Sequence, residues 1–342
     1  MLNQTLRSRA KRRLLFTLVL FLTLMLFLWL SLISGAHGIS FSDTPKLFFD
    51  TSKFSTIVQN IRLPRALAAC IVGALLGLSG VLMQGVLQNP LASPFTLGVS
   101  QAAALGATSA IILIDASSLA SLQLLGSFTI PLFAFSASMV CSLIIVWLGK
   151  HVAMSPTALI LAGVGLGSLF HSATMFMQYF TTEINAAATL FWTFGELSRA
   201  TYNTLIILSI VALISSIYAW RLHWKLDALS FGDDSAKNKG IDTKSLRVSM
   251  LIVASLCAAL AVSFFGIIGF IGLVAPHIVR LVIGSSHSFL IPLSMLCGAT
   301  LLLAADYFAR VALYPSTLPV GILTSFIGVP MLLYLLIKKE RS

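Results

Sequence analysis

Three arginines and one aspartate stand out among the residues whose type and spacing could do chemistry. Arg62 and Arg65 flank Pro64, and i,i+3 spacing puts both guanidinium groups on one helix face. Proline suits a first helical turn, where its missing N–H would be unpaired anyway. Arg310 has Asp306 four residues ahead of it, the acid-before-base order that favours an ion pair. Such guanidinium groups either snorkel toward lipid phosphates or offer a basic surface to acidic residues of a partner. A second candidate is the stretch from Asp227 to Gly240, with acids early, lysines late and glycine as the stop. That order fits one short helix by dipole and capping rules, either a solvated surface helix or a lever gripped by another subunit. His171 and Met175 share a helix face at i,i+4, where they could ligate a haem iron or simply pack.

Other chemistry is missing. There is no G-x-x-x-x-G-K-[ST] phosphate loop, so ATP is not hydrolysed by that route. Gly77-Leu78-Ser79-Gly80 is not a nucleophile elbow, and HExxH is absent. Cys70, Cys141, Cys257 and Cys297 all lie in apolar stretches without CxxC spacing, which indicates neither disulfides nor a metal site. Ionisable residues are nearly absent from the middles of the apolar runs, where an ion-coupled carrier needs relays. The expectation is a chain with no catalytic residue, metal or cofactor, energised by a partner.

The elements that must position these residues follow from composition. Of 342 residues, 58% are hydrophobic and 10% charged, against about a quarter charged in soluble domains. One soluble core cannot hide so much apolar surface, so lipid solvates part of it. The net charge of +11 comes from short Lys/Arg clusters between long uncharged runs. No basic stripe is interleaved with aromatics, which argues against nucleic acid.

The uncharged runs predict ten membrane helices, near 14–35, 63–84, 95–114, 124–148, 155–179, 203–222, 244–264, 267–284, 290–309 and 318–337. An extra short helix is expected over 186–200. Asn89-Pro90-Leu91-Ala92-Ser93-Pro94 breaks one run, since two prolines four apart do not fit a continuous helix. Gly266, Gly269 and Gly272 mark another interruption. The first run resembles a signal peptide ending near Ser34-Gly35-Ala36, but its apolar stretch is long for a signal core and is read as a retained helix. Gly73/Gly77, Gly98/Ala102/Gly106/Ala110 and Gly163/Gly167 form small-residue stripes for close helix packing.

With both termini in the cytoplasm, sixteen of the 22 Lys and Arg fall on that side, as the positive-inside rule requires. Only Lys46, Lys53, Arg62, Arg65, Arg199 and Arg310 lie opposite. The reading is an all-α, polytopic membrane bundle forming one transmembrane domain over 1–342. It has a basic cytoplasmic N-terminus at 1–13 and a cytoplasmic loop at 223–243.

These motifs resemble the permeases of ATP-binding-cassette importers for iron–siderophores, haem and vitamin B12, the FecCD-type transmembrane subunits. The likeness rests on Arg62-Leu63-Pro64-Arg65, Gly80-Val81-Leu82-Met83-Gln84, the Asn89–Pro94 turn, Leu97-Gly98-Val99-Ser100, the Gly269–Arg280 segment, Ala305-Asp306…Arg310, Leu318-Pro319-Val320-Gly321 and Gly328-Val329-Pro330, in that order. It implies a type II importer fold of ten helices, paired with a second permease subunit on two ATPase subunits that hold ATP and Mg. It further implies that Arg62, Arg65 and Arg310, with Asp306, dock an extracytoplasmic binding protein. Ala228, Leu229, Gly232, Asp233, Asp234, Ala236 and Gly240 would match the ATPase-coupling segment. Asn89, Leu91, Ser155 and Thr157 would match a cytoplasmic gate, and His277 would play a structural part. The implied setting is a bacterial cytoplasmic membrane, and the implied cargo is a ferric siderophore, with haem or cobalamin as alternatives. A stand-alone secondary carrier is the competing reading.

Overall fold

The computed structural model describes residues 2–34, 56–116, 126–313 and 315–340, with side chains from Ala10 to Met331. Lys46, Lys53, Arg341, the Gly35-Ala36 pair and the start of the expected 124–148 helix lie outside the described residues. Those residues form thirteen α-helices and no strand: α1 (Leu2–Ile33), α2 (Leu63–Val86), α3 (Val99–Ala116), α4 (Thr129–His151), α5 (Pro156–Tyr179), α6 (Glu183–Thr193), α7 (Tyr202–Arg221), α8 (His223–Leu229), α9 (Asp233–Asn238), α10 (Thr243–Phe265), α11 (Ile271–Ile283), α12 (His287–Val311) and α13 (Val320–Glu340). A π-helical turn, Val58–Arg62, leads into α2.

Seven of these helical segments are long and apolar enough to cross a bilayer, and α3, α11 and α13 supply shorter apolar helices. Together they correspond to the ten expected membrane helices. α2 is the axis of the bundle. Its most apolar window is 78% buried, against 11% for α1, and it packs on α12, α10, α11 and α7. Its small residues face α12 and α11, where backbones rather than side chains set the approach.

Three boundaries differ from the sequence expectation, each for a local reason. α11 has 13 residues, about 20 Å at 1.5 Å per residue, and is too short to cross alone. It follows an irregular stretch with Gly266 at φ 75° and Phe270 at φ 66°. Non-helical backbone at membrane depth survives where protein buries it. Phe265 and Ile268 are buried, and the Phe265 carbonyl accepts from the Glu196 N–H at 2.7 Å. α6 runs earlier than 186–200 because Thr182 caps it, accepting from the Asn185 N–H at 3.3 Å. α3 starts at Val99 because Ser93 and Thr96 hold a hydroxyl-backbone turn ahead of it: the Ser93 N–H donates to Thr96 Oγ1 at 3.0 Å.

Candidate functional site

Two charged clusters of predicted site residues gather at the two ends of the antiparallel α2–α12 pair. At the first end Asp306 is fully buried between two arginines. Arg65 Nε and Nη2 both lie 2.9 Å from Asp306 Oδ1, and Arg310 Nε donates to Asp306 Oδ2 at 3.1 Å. The side chains of Arg65 and Arg310 are only 11% and 13% exposed. Arg62, also buried, donates from Nη1 to the Leu32 carbonyl at 2.8 Å, and Arg310 Nη1 donates to the Ser31 carbonyl at 3.3 Å. Those carbonyls belong to the last turn of α1, where a helix leaves its acceptors unpaired and favours cations. All four predicted residues therefore meet, and three arginines against one aspartate leave the cluster positive. The expected Asp306–Arg310 pair is present, and Arg65 joins it from 241 residues away.

At the other end lies the 223–240 segment. The sequence suggested one helix here, but the structure has two, α8 and α9, divided at Gly232 (φ 101°, ψ 161°). That backbone region is essentially open to glycine alone. Ala228, Leu229 and Ala236 pack inward, while Asp234, its side chain 97% exposed, and Gly240 face out. Phe231 projects from the inter-helix turn at 75% exposure, with Lys239 Nζ 5.6 Å from its ring centroid.

Two acids tie this segment down. Asp233 receives both terminal nitrogens of Arg247 at 2.6 Å, and Arg247 is buried, donating from Nε to the Val86 carbonyl at 2.9 Å. The Arg247 hydrogen bonds hold the Asp233 carboxyl below its ordinary range, against a smaller upward push from burial. Asp227 Oδ1 accepts from the His287 N–H at 2.7 Å and lies 2.7 Å from His287 Nδ1. Burial pushes the Asp227 carboxyl up, but the His287 hydrogen bonds and the charges of His287 and His223 outweigh it and leave the group lowered.

The expected gate residues occupy two turns. Asn89 Oδ1 accepts from the Leu91 N–H at 2.9 Å, closing a turn just after α2. Ser155 is the N-cap of α5, Pro156 opens that helix, and Thr157 is exposed in its first turn. No hydrogen bond joins Asn89 or Leu91 to Ser155 or Thr157 among the described residues, although Gly98, further along the first turn, lies against Gly163 and Gly167 of α5. A pocket of about 550 Å³ at the end of α6, the start of α11 and one side of α13 is lined mainly by apolar groups, including Phe95, Phe194, Phe270, Ile322, Phe326 and Val329. His171 and Met175 are exposed on α5, and no group of three metal-ligating His, Cys, Asp or Glu forms among the described residues.

Arg247 and His287 were missed in the sequence reading, where Arg247 counted only as a cytoplasmic charge. A signal was available: Arg247 shares the helical spacing of Met250, Leu251 and Ala254, all buried, which places it on the inward face. Phe231 carried no such periodic signal.

A buried helical axis among seven helices long and apolar enough to cross a bilayer, with three shorter apolar ones, defines a polytopic helical membrane protein. The chain belongs to the FecCD transport family, which matches residues 22–338. It is 42% identical over 333 residues to a Methanocaldococcus jannaschii protein named provisionally as an ABC transporter permease, covering 96% of this chain and 95% of that one. It is 36% identical over 283 residues to the hemin transport system permease protein HmuU of Yersinia pestis, covering 83% and 84%. A solved structure, described as an inward-facing conformation of a provisionally assigned metal-chelate type ABC transporter, is 32% identical with a TM-score of 0.79. That match covers 94% of this chain and 98% of the solved one.

Proposed function

We propose that this chain is the permease subunit of an ATP-driven importer that carries a ferric-siderophore-type chelate across a bacterial cytoplasmic membrane. A second permease subunit, identical or paired, completes the pathway, and two ATPase subunits hold ATP and Mg. No cofactor is bound by this chain. Both termini face the cytoplasm, which puts the Asp306 cluster outside and α8–α9 inside. The observation that carries the reading is this polarity: a net-positive cluster at one end and a ledge of two short helices at the other.

In the mechanism, a loaded binding protein sets acidic residues against the field of Arg62, Arg65 and Arg310. The ATPase grips the outward side of α8–α9, through Phe231, Asp234 and the Gly232 and Gly240 turns. Alternating access then opens the apolar cavity to each side, with Asn89, Leu91, Ser155 and Thr157 at the inner gate. Such a wall offers few fixed polar contacts, so selectivity sits mainly in the binding protein. Haem and cobalamin are the alternative cargoes, haem being favoured by the hemin permease relative.

Reconstitution with the ATPase and binding protein in liposomes tests this. ATP-dependent uptake of a radiolabelled ferric siderophore is expected, and uptake of haem or cobalamin alone would move the substrate assignment. Uptake by the permease without ATPase, driven by an ion gradient, would replace the reading with a secondary carrier. Arginines that also cap α1 make charge reversal a poor docking test. Ionic strength is cleaner: the association rate of the binding protein should fall steeply as salt rises.

A further inference from the structure

We propose that Arg247 is the positioning residue that carries movement of α9 to the end of α2 and so to the turn bearing Asn89 and Leu91. The inference rests on the permease reading above, in which α8–α9 is gripped by the ATPase and that turn belongs to the inner gate. Arg247 sits in the first turns of α10 and is 1% exposed. Its terminal nitrogens clamp Asp233, the first residue of α9, at 2.6 Å each. Its Nε reaches the carbonyl of Val86, the last residue of α2, at 2.9 Å.

That carbonyl is one of the acceptors a helix end leaves without an intrahelical partner. A guanidinium is planar and holds its donors in one rigid fork. α9 and the end of α2 therefore cannot shift independently without breaking a hydrogen bond to a buried charge, which is strongly unfavourable. α9 is followed directly by α10, which packs along α2, and this side chain adds a polar tie that joins α9 itself to the last residue of α2.

Two further links run from α8 to the residues around the end of α2, one direct and one through His287 of α12. Gln88 Nε2 donates to the Leu229 carbonyl. Asp227 holds His287, whose Nε2 lies 3.0 Å from where a Cβ on Gly85 would sit. Residues 85, 86 and 88 are thus contacted at or through the coupling segment, directly ahead of Asn89. A guanidinium serves this geometry where an ammonium would not, because a single nitrogen cannot hold both the Asp233 carboxylate and the Val86 carbonyl in fixed directions.

The test uses the full transporter with its ATPase and binding protein in liposomes. A spin label is placed on Leu91→Cys after the four native cysteines are changed to alanine. In the parent complex ATP changes the label signal. In Arg247→Lys the ATP-dependent change is expected to be lost, and chelate imported per ATP hydrolysed to fall about tenfold, within the span of coupling residues. Asp233→Asn, altered on the partly exposed side of the pair, should reproduce both effects if Arg247→Lys fails to assemble. A label response and import-per-ATP ratio like the parent's in the variants would overturn the proposal. So would reduced import explained wholly by weaker ATPase association, with the label still responding. A parent complex that neither assembles with an ATPase nor responds at residue 91 would take down the permease reading as well.

Discussion

Gly73 on α2 and Gly298 on α12 face each other backbone to backbone. A Cβ on Gly73 would fall 2.3 Å from the Gly298 carbonyl oxygen, and one on Gly298 would fall 2.2 Å from the Gly73 oxygen. Real Cβ atoms do not approach backbone so closely, so Gly73→Ala or Gly298→Ala must push the two helices apart. Overpacking costs about 1–3 kcal/mol, and with backbone on both sides the upper end is expected. Gly165→Ala, where nothing lies within 4 Å, should stay within about 0.5 kcal/mol. Thermal unfolding in detergent separates the two cases, and an unaffected Gly73→Ala would mean that the α2–α12 contact is looser than described.

The Asp306 cluster predicts a sharper loss. Asp306→Asn leaves Arg65 and Arg310 facing each other without a countercharge, and removing one member of a buried ion pair costs about 3–5 kcal/mol. Neutralising the arginines as well, in Asp306→Asn with Arg65→Gln and Arg310→Gln, should restore part of that stability. Detergent-solubilised yield and thermal midpoint are the readouts. Equal loss in the single and triple variants would show that the hydrogen bonds, not the charges, hold this end.

How much of this was legible depends on sequence separation. The Asp306–Arg310 pair lies within one helix turn and could be read directly, as could the broad succession of helices, because apolar periodicity and charge placement are local signals. Arg65 reaches Asp306 across 241 residues, and nothing local in either segment announces the other. The 223–240 stretch read as one helix because its end charges fit one, and only the backbone at Gly232 divides it. The short α11 carried a visible warning in Gly266, Gly269 and Gly272, although glycine spacing does not say on which residue a helix restarts.

The acids of the α8–α9 segment set a pH window. Asp227 and Asp233 both have lowered carboxyl pKa values. The stability each contributes is complete above the unfolded value, about 3.9, and is lost as pH falls through the lower folded value. Attachment of α8–α9 should therefore be flat from neutral pH to about 4 and loosen only below it. Hydrogen exchange of α9 amides, corrected for intrinsic rates, reads this directly, and Asp233→Asn should remove most of the transition. Loosening that is already complete at near-neutral pH would show that these two carboxylates do not set the attachment.

Phe231 predicts a binding loss without a folding loss. It is a large aromatic at 75% exposure on the turn between α8 and α9, on the side that faces away from the buried Leu226, Ala228 and Leu229. Aromatic residues dominate interface energetics when a partner buries them. Phe231→Ala should lower ATPase-subunit affinity at least about tenfold, the 1.4 kcal/mol scale of a modest hot spot, with the thermal midpoint of the isolated permease unchanged. Pull-down titration and unfolding on the same preparation test both halves, and unchanged affinity would remove Phe231 from the contact surface.

Gly232 isolates backbone from contact. Nothing lies within 4 Å of the position its Cβ would take, so Gly232→Ala meets no steric obstacle. Its φ of 101° with ψ of 161° lies where L-residues are strained by about 1–3 kcal/mol. Asn, which relieves strain in left-handed turns, gains nothing in this extended region and should behave like Ala. The expected result is faster proteolysis between α8 and α9 in both variants, with membrane insertion and the rest of the bundle unaffected. If Ala and Asn leave that cleavage rate unchanged, the turn can relax to an ordinary conformation, and the division of the ledge into two helices is not imposed by glycine.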